Sequence, residues 1–336
     1  MSMRDPFPRS DGMIGWGILA TGGVAGAFTR DLIAHGHRVA AVGSRSLASA
    51  EAFAATHGIP QAHGSYEDLA TDPNVDVIYI ATPHNLHSEN ATLALEHGKH
   101  ILVEKSFTLT EAQASTVVEL GLQMGLVVVE AMWTRFLPHM AHVRNLIAAG
   151  RLGEIRSLHA DHTQNLPRED THRINNPYLA GGALLDLGIY PVSFAHDILG
   201  APVDIDAHAT FTRSGVDASV ATILTHENGA MSTSFSSLET RGPNRATILG
   251  TEGRIEIADT WYAPTTVSLY DARNSLVDVY DQAVSGRGMQ FQAAEVERVI
   301  RDGNHGSPLI IPEESVTVMR TMDAIRAKIG LRYPNE

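Results

Sequence analysis

Residues 14–34 read IGWGILATGGVAGAFTRDLIA and decide the fold of the first part of the chain. A short apolar run ends in a glycine-rich turn, and a helix-length amphipathic run follows at once. In such a strand–turn–helix unit, a G-x-G-x-x-[GA] turn brings backbone N–H groups and a helix N-terminus against a pyrophosphate. The turn here is Ala20-Thr21-Gly22-Gly23-Val24-Ala25, so an alanine occupies the first glycine position. We expect a dinucleotide site, and an ordinary strand-to-helix turn is the alternative.

The end of the second predicted strand distinguishes NAD from NADP. An Asp or Glu about 20 residues after the turn would bind the ribose hydroxyls of NAD. The stretch 41–46 reads AVGSRS and holds no carboxylate. Arg45 can pair with a 2′-phosphate and Ser44 can donate to it, so we expect NADP(H) rather than NAD(H). Alternatively, Ser44 or Ser46 only caps the next helix while Arg45 is solvated.

The apolar periodicity predicts two domains in the α/β class. Strand-length and helix-length runs alternate up to about residue 131, which is typical of a doubly wound parallel sheet (a Rossmann fold). Its predicted strands are Ile14–Leu19, Arg38–Gly43, Val75–Ala81, His100–Glu104 and Leu126–Glu130. Strands near 203–211, 217–225, 230–238, 244–249 and 253–258 then predict an α+β domain with a large, mostly antiparallel sheet.

The expected boundaries follow from this change of pattern. They are a flexible tail over 1–12, an NADP-binding Rossmann domain over 13–131 and an α+β domain for substrate binding and oligomerisation over 132–330. The last predicted helix can pack back on the first domain. The segment 220–224 is apolar on both faces, so we expect one face to meet helices and the other a second subunit, in a homodimer or homotetramer.

Composition excludes several classes of function. The 336 residues carry 38 Asp+Glu against 25 Lys+Arg, a net charge of −13, so we expect no nucleic-acid partner. The absence of cysteine rules out disulfides, thiol nucleophiles and Cys-ligated metals, and fits a cytoplasmic protein. We see no apolar run of membrane-spanning length and expect no membrane association.

Four further motifs resemble one known family. They are ATPHNLH at 81–87, ALEHGKHILVEK at 94–105, EAMWTRF at 130–136 and GGALLDLGIYP at 181–191. In this order they resemble the glucose–fructose oxidoreductase/inositol dehydrogenase/MocA (Gfo/Idh/MocA) family, and within it the branch of dimeric dihydrodiol dehydrogenases and NADP-dependent xylose dehydrogenases. The resemblance extends over about residues 13–330.

The resemblance implies a role for each matching position. Those implied to lie along the cofactor are Thr82, Pro83, His84, Asn85, His87, Glu104, Lys105, Trp133 and Arg135. Asp186 and Tyr190 match the substrate-side pair. Two positions depart from the family: Ser106 replaces a proline that helps to fix the loop carrying the lysine, and Tyr190 replaces the histidine of the inositol and glucose–fructose branches.

These residue types suit redox chemistry at a carbonyl or alcohol. Hydride transfer to or from a nicotinamide leaves an alkoxide that needs a proton or a nearby cation. We expect Lys105 to anchor the reacting oxygen, Tyr190 to act as general acid/base next to that ammonium, and Asp186 to orient the substrate. Asp186 and Tyr190 are four apart and share a helix face. The alternative is a solvated Lys105, a core Tyr190 and a buried, satisfied Asp186.

The strand and loop beyond residue 158 offer candidates for substrate contacts. These are His162, Gln164, Asn165 and Arg168, and strand alternation points the first two to the same side. Several of the 17 histidines are paired at a spacing of three, but no His-Glu-x-x-His helix occurs. We therefore expect no metal site.

We expect an NADP(H)-dependent oxidoreductase acting on a secondary alcohol or carbonyl of a sugar, cyclic polyol or dihydrodiol. Two alternatives remain open at this point: a glycosidase that uses a bound nicotinamide transiently, as some members of this family do, and a non-catalytic NADP-binding regulatory protein.

Overall fold

A computed structural model describes residues 13–334, so the expected tail over 1–12 lies outside the described residues. The chain forms two compact units. The first comprises residues up to Trp133 together with Ser285–Val316, and the second comprises Thr134–Val284 together with residues from Thr317 onward.

The first unit is built on a parallel sheet. Its strands within the described residues are β1 (Gly15–Leu19), β2 (Arg38–Gly43), β3 (Gln61–His63), β4 (Val77–Ile80), β5 (His100–Glu104) and β6 (Val128–Ala131). They lie in the order β3-β2-β1-β4-β5-β6, and every pairing is parallel. This is the doubly wound Rossmann order, which confirms the predicted fold class. The order reverses between β1 and β4, and open α/β sheets bind ligands at such a point, at the carboxyl ends of the strands.

Helices cover this sheet. They are α1 (Gly23–Ala34), α2 (Leu47–His57), α3 (Tyr66–Ala70), α4 (His87–Glu96) and α5 (Glu111–Met124). The starts of α2 and α5 are fixed by side-chain caps, because Ser46 accepts from Ser49 N–H and Thr110 from Gln113 N–H. Gly125 ends α5 with a φ of +68°, a conformation that glycine adopts without strain. Strand β3 and helix α3 were not predicted.

A distant segment completes the core of the first unit. It contains α8 (Gln290–Arg301) and leads into α9 (Pro312–Ile329). The buried Glu297 of α8 accepts hydrogen bonds from Trp16 Nε1 at 2.9 Å and from His37 Nδ1 at 2.7 Å. Asp31 of α1 accepts N–H bonds from Arg287 and Met289, each at 3.0 Å. These contacts fix the segment 285–301 to the Rossmann sheet.

The second unit carries a larger sheet, and α6 (Pro138–Ala148) precedes it. Its strands within the described residues are β7 (Ile155–Thr163), β8 (Pro202–Phe211), β9 (Asp217–His226), β10 (Met231–Ser237), β11 (Ala246–Gly250), β12 (Gly253–Ile257), β13 (Val267–Asp271) and β14 (Leu276–Tyr280). Their order is β14-β13-β12-β11-β7-β10-β9-β8, and only the β7–β10 pairing among them is parallel. The predicted, mostly antiparallel sheet is confirmed, and the prediction lacked β13 and β14.

Helix α7 (Ile189–Leu199) follows a π-helical turn at Leu184–Gly188. Among the described residues, the stretch Pro177–Leu199 is long and apolar enough to cross a membrane, so the statement that no run reaches that length was wrong. However, 89% of this stretch is buried inside the protein. Its hydrophobicity is that of a core helix, which must bury its surface on all sides.

Candidate functional site

The turn after β1 has the backbone geometry of an anion site. Ala20 has a φ of +88°, and its N–H donates to Gly43 O at 2.9 Å. A Cβ built on Gly22 or Gly23 would meet no atom within 4 Å, and neither glycine has a left-handed φ. The described chain therefore requires glycine at neither position for its own packing or conformation. A group bound against the backbone explains both, as in dinucleotide-binding turns.

The N-terminus of α1 supplies the donors for such a group. Gly22 is the N-cap and has no side chain to accept from the first-turn N–H groups, and that turn contains no acidic residue. Four backbone donors at the start of a helix need partners, and the helix dipole favours a negative one. The residues present thus fit a pyrophosphate.

The end of β2 places Ser44 and Arg45 at the same edge of the sheet. Ser44 N–H donates to His63 O at 3.1 Å, while the Arg45 side chain is exposed and lies near Tyr66. Burial raises the pKa of Tyr66, and Arg45 partly offsets that rise. Ser46 is the residue that caps α2. Ser44 and Arg45 are thus placed at the strand end where a dinucleotide fold holds the adenosine ribose.

His87 ties two loops of the first unit together. Its ring is fully buried, with Nδ1 2.8 Å from Ser106 O and Nε2 2.9 Å from Thr82 O. Burial lowers the pKa of His87, and the charge of Lys105 acts in the same direction. The neutral ring lies beneath the loops that follow β4 and β5. His84 packs edge-on against it, with 5.6 Å between ring centroids.

Glu104 and Lys105 lie at the carboxyl end of β5. The Glu104 side chain is buried and accepts a hydrogen bond from the Tyr79 hydroxyl, while Lys105 is half-buried. The Lys105–Ser106 peptide bond is cis. Ser106 is fully buried, and its carbonyl contacts His87. The contact with His87 therefore holds this loop in place, although the loop lacks the proline that is usual in the family that the sequence resembles.

Trp133 and Arg135 occupy different surroundings. Trp133 is 4% exposed, and the Arg287 guanidinium lies 5.7 Å from the centre of its ring in the first unit. In the second unit, Arg135 is 3% exposed, donates to Ser193 O at 2.7 Å and pairs with Asp197 at 3.3 Å. These bonds fix the Arg135 side chain to α7, and a contact of Arg135 with the cofactor stays a prediction.

Asp186 and Tyr190 lie on consecutive turns of one helical segment. The sequence predicted a continuous α-helix here, whereas Asp186 lies in the π-helical turn and Tyr190 in the first turn of α7. Both are largely buried, at 9% and 8% exposed. The exposed Arg173 reaches Asp186 Oδ1 at 3.3 Å. Arg173 was not predicted, because it comes from a loop and has no recognisable spacing to Asp186.

An aromatic cluster surrounds Tyr190. His162 stacks on Tyr262 with 3.7 Å between centroids and meets Tyr190 edge-on at 4.8 Å. Gln164 Nε2 lies 2.9 Å from His162 Nε2, so the structure brings these two predicted residues to Tyr190. Burial, with Tyr190 and Asp259 nearby, raises the pKa of Tyr262, which keeps that phenol neutral. The sequence analysis did not predict Tyr262, because it lies in a loop between β12 and β13 that carries no recognisable pattern.

The other two predicted substrate residues are tied elsewhere. Asn165 forms an isolated bridge with Glu239, and exposed Arg168 donates to Glu239 O at 3.1 Å. Arg168 lines a surface pocket whose lining includes none of Asp186, Tyr190 and His162. Substrate contact by Asn165 and Arg168 stays a prediction. Among residues 13–334, no three His, Asp or Glu side chains are grouped as metal ligands.

Comparisons with known proteins cover nearly the whole chain. Residues 12–132 match an oxidoreductase family with an NAD-binding Rossmann fold, and residues 140–256 match the GFO/IDH/MocA C-terminal domain. The chain is 35% identical to D-xylose 1-dehydrogenase (NADP(+)) of Hypocrea jecorina, covering 95% of this chain and 93% of that protein. It is 33% identical to trans-1,2-dihydrobenzene-1,2-diol dehydrogenase of Bos taurus, covering 96% and 98%.

A solved structure is similar to this chain over nearly its whole length. The 3-ketoreductase KijD10 from Actinomadura kijaniata, in complex with NADP and TDP-benzene, superimposes with a TM-score of 0.83 at 25% identity. The match covers 94% of this chain and 98% of that one.

Proposed function

The chain belongs to the Gfo/Idh/MocA family of NAD(P)-dependent oxidoreductases, and on that premise we propose that it uses NADP(H) to interconvert a secondary alcohol and its carbonyl on a sugar, cyclic polyol or dihydrodiol. The observation that carries the proposal is the open backbone at Gly22 and Gly23, where the chain's own packing needs no glycine.

The preference for NADP(H) is supported by the residues at the end of β2. A carboxylate there would repel a 2′-phosphate, and 41–46 contains none. Arg45 provides a guanidinium, which recognises phosphate through paired hydrogen bonds, and Ser44 provides a hydroxyl. The names of the xylose dehydrogenase and ketoreductase relatives point to the same cofactor.

The reaction is assigned to three side chains. A bound nicotinamide would accept or donate the hydride. Lys105 offsets negative charge on the reacting oxygen. In oxidation the phenolate of Tyr190 accepts the hydroxyl proton, and in reduction its phenol donates a proton to the alkoxide oxygen. Asp186, which Arg173 reaches at 3.3 Å, accepts hydrogen bonds from substrate hydroxyls. His162 and Tyr262 hold the Tyr190 ring, and the raised pKa of Tyr262 argues against that phenol as the group that titrates.

A substrate with several hydroxyl groups suits these surroundings. Asp186, His162 and Gln164 are polar side chains near Tyr190, whereas the rings of Tyr190 and Tyr262 offer apolar faces. This mixture can receive the polar edge and the apolar face of a sugar or dihydrodiol ring. The two curated relatives are named for xylose and for a dihydrodiol, respectively.

Fluorescence titration with NADPH and NADH tests the cofactor proposal. We expect NADPH to bind at micromolar concentration and NADH at least about tenfold more weakly, since a phosphate–Arg pair contributes about 1.5–3 kcal/mol. Equal affinities would contradict the NADP preference. Binding of neither nucleotide would contradict the oxidoreductase proposal at its first step.

We further propose that the open face of the second sheet pairs with a second copy of this chain. Ile223 of β9 is 50% exposed, and Met231 and Phe235 of β10 are 51% and 45% exposed. The pairing of β9 with β10 places all three on the same face of the sheet. A monomer rarely leaves a contiguous apolar patch in water, and a two-fold axis would cover the patch of each copy with the other.

A further inference from the structure

A buried carboxyl group accepts a hydrogen bond from the start of the helical segment that carries Asp186 and Tyr190. Asp217, the first residue of β9, is fully buried, and its Oδ2 accepts the Leu184 N–H at 2.6 Å. Burial raises the pKa of Asp217 to about 7, and its backbone N–H bonds and the charge of Arg326 oppose the rise. A carboxyl at this position satisfies N–H donors that a helix start leaves without intrahelical partners.

The backbone before this helix lies unusually close to the same carboxyl group. Gly182 has a φ of +123°, and a Cβ at this residue would lie 2.0 Å from Asp217 Oδ1. Any side chain would displace either the turn or the carboxyl. The path of the chain into the helix is therefore set by contact with Asp217.

A residue beyond α9 makes a second contact with the turn. The Tyr333 hydroxyl donates to Gly181 O at 3.0 Å, and its ring is 5% exposed. The Arg326 guanidinium lies 5.4 Å from the centre of that ring. Burial raises the pKa of Tyr333, and the charges of Asp217 and Asp186 add to the rise, so the hydroxyl remains a donor. Tyr333 thus contacts the turn and lies close enough to Asp186 for their charges to interact.

We propose that Tyr333 and Asp217 are positioning residues for the reaction. They hold the turn at Gly181 and Gly182 through separate contacts and thereby fix the direction in which Asp186 and Tyr190 face the substrate. The proposal rests on the proposed function, because it gives those two side chains their role.

The geometry explains how a contact at the turn reaches the reacting groups. Tyr190 lies only eight residues after Gly182, about two turns along the same helical segment. A helix transmits a rotation of its first turn to every later side chain, and proton transfer needs donor and acceptor within hydrogen-bond reach. A small displacement at the anchor therefore lowers the catalytic rate more than it lowers the affinity for the nucleotide.

The test compares Tyr333→Phe and Asp217→Asn with Tyr270→Phe. Tyr270, on β13, loses a hydroxyl equally but contacts Arg254 instead of the turn. Turnover is measured per NADPH-binding site, and amide hydrogen exchange is followed in residues 181–190 and 231–237. We expect Tyr333→Phe to lower kcat about three- to tenfold with KM for NADPH within about twofold, and to speed exchange in 181–190 alone. Tyr270→Phe should behave as wild type.

The outcomes separate this proposal from the proposed function. Wild-type kcat and wild-type exchange in both anchor variants would overturn the positioning role. A lower melting temperature with unchanged kcat per binding site would also overturn it, since that result indicates stability alone. If Tyr190→Phe keeps full turnover, the proposed function fails instead. If no substrate turns over, the hydrogen-exchange result alone decides. Unchanged exchange in residues 181–190 overturns the positioning role of Tyr333 and Asp217, and faster exchange confined to that segment supports it.

Discussion

Replacing Ala20 by glycine should stabilise the protein, although most glycine substitutions do the opposite. Ala20 has a φ of +88°, where an L-residue carries about 1–2 kcal/mol of strain that glycine lacks. Glycine costs about 0.4–1 kcal/mol in return, because it gives the unfolded chain more freedom. The net effect is a gain of between about 0 and about 1.6 kcal/mol, with a central value of about 0.8 kcal/mol.

The matched control is Ala25→Gly, five residues further on in α1. Ala25 is fully buried and has a helical backbone, so its replacement loses about 1 kcal/mol of helix propensity and about 0.8 kcal/mol for the buried methyl group. The two variants should thus differ by more than about 2 kcal/mol, with opposite signs.

Chemical unfolding of the two variants and wild type measures this difference. Ala20→Gly keeps the N–H that bonds Gly43, so its affinity for NADPH should stay within about threefold of wild type. If Ala20→Gly destabilises the protein as much as Ala25→Gly does, the strain argument at the turn is refuted. If it stabilises the fold but abolishes NADPH binding, the account of the turn as a tolerant variant of the glycine pattern is refuted.

Three further predictions concern the cofactor, pH and assembly. Arg45→Ala should weaken NADPH binding about tenfold and leave NADH unchanged. Arg38→Ala, at the other end of β2 and about 20 Å away along the strand, should change the affinity for neither nucleotide. Equal effects of the two variants would contradict binding of the 2′-phosphate by Arg45. The pKa of Asp217 is about 7 in the folded protein, against an ordinary value of 3.8 for the unfolded chain. The protonated carboxyl therefore stabilises the fold fully below about pH 4, and this stabilisation is lost as the pH rises through 7. Between pH 4 and 8, Asp217→Asn should therefore gain up to about 4 kcal/mol in unfolding free energy relative to wild type, and parallel pH curves would refute this. By light scattering, the wild-type protein should have at least twice the 36.2 kDa mass of one chain, and Ile223→Glu should have the mass of one chain. Leu122→Glu, at an exposed site on α5, should keep the wild-type mass. A monomeric wild type would refute the pairing.

Strong apolar periodicity made most of the fold predictable. Strands such as His100–Glu104 are buried runs bounded by helix-ending glycines, and the structure has them where the sequence predicts them. Strand β3 is three residues long and polar, and α3 has five residues, so neither carries a periodic signal. Strand β13 alternates buried Val267 and Leu269 with less buried residues, but it has only five residues. Strand β14 lies at the edge of the second sheet, where Leu276, Val277 and Val279 are exposed and the alternation is poor.

The candidate site was predictable where residues are near in sequence, belong to a motif or alternate along one strand. The glycine turn, the pair Asp186 and Tyr190, and the pair His162 and Gln164 are of these kinds. Tyr262, Arg173 and Asp217 reach the same region from separate loops and strands, so their proximity is a consequence of tertiary packing that no local pattern contains. The π-helical turn was equally invisible, because a spacing of four places side chains on one face in either helix type.

Turnover of the proposed alcohol substrates tests the central claim most directly. The purified chain is supplied with NADP⁺ and a panel of sugars, cyclic polyols and dihydrodiols, and NADPH formation is followed in wild type and Tyr190→Phe. The account predicts steady NADPH formation with at least one compound, and a loss of about 100-fold or more in Tyr190→Phe while NADPH binding is kept. Tight NADPH binding without turnover of any compound, or full activity of Tyr190→Phe, would contradict it.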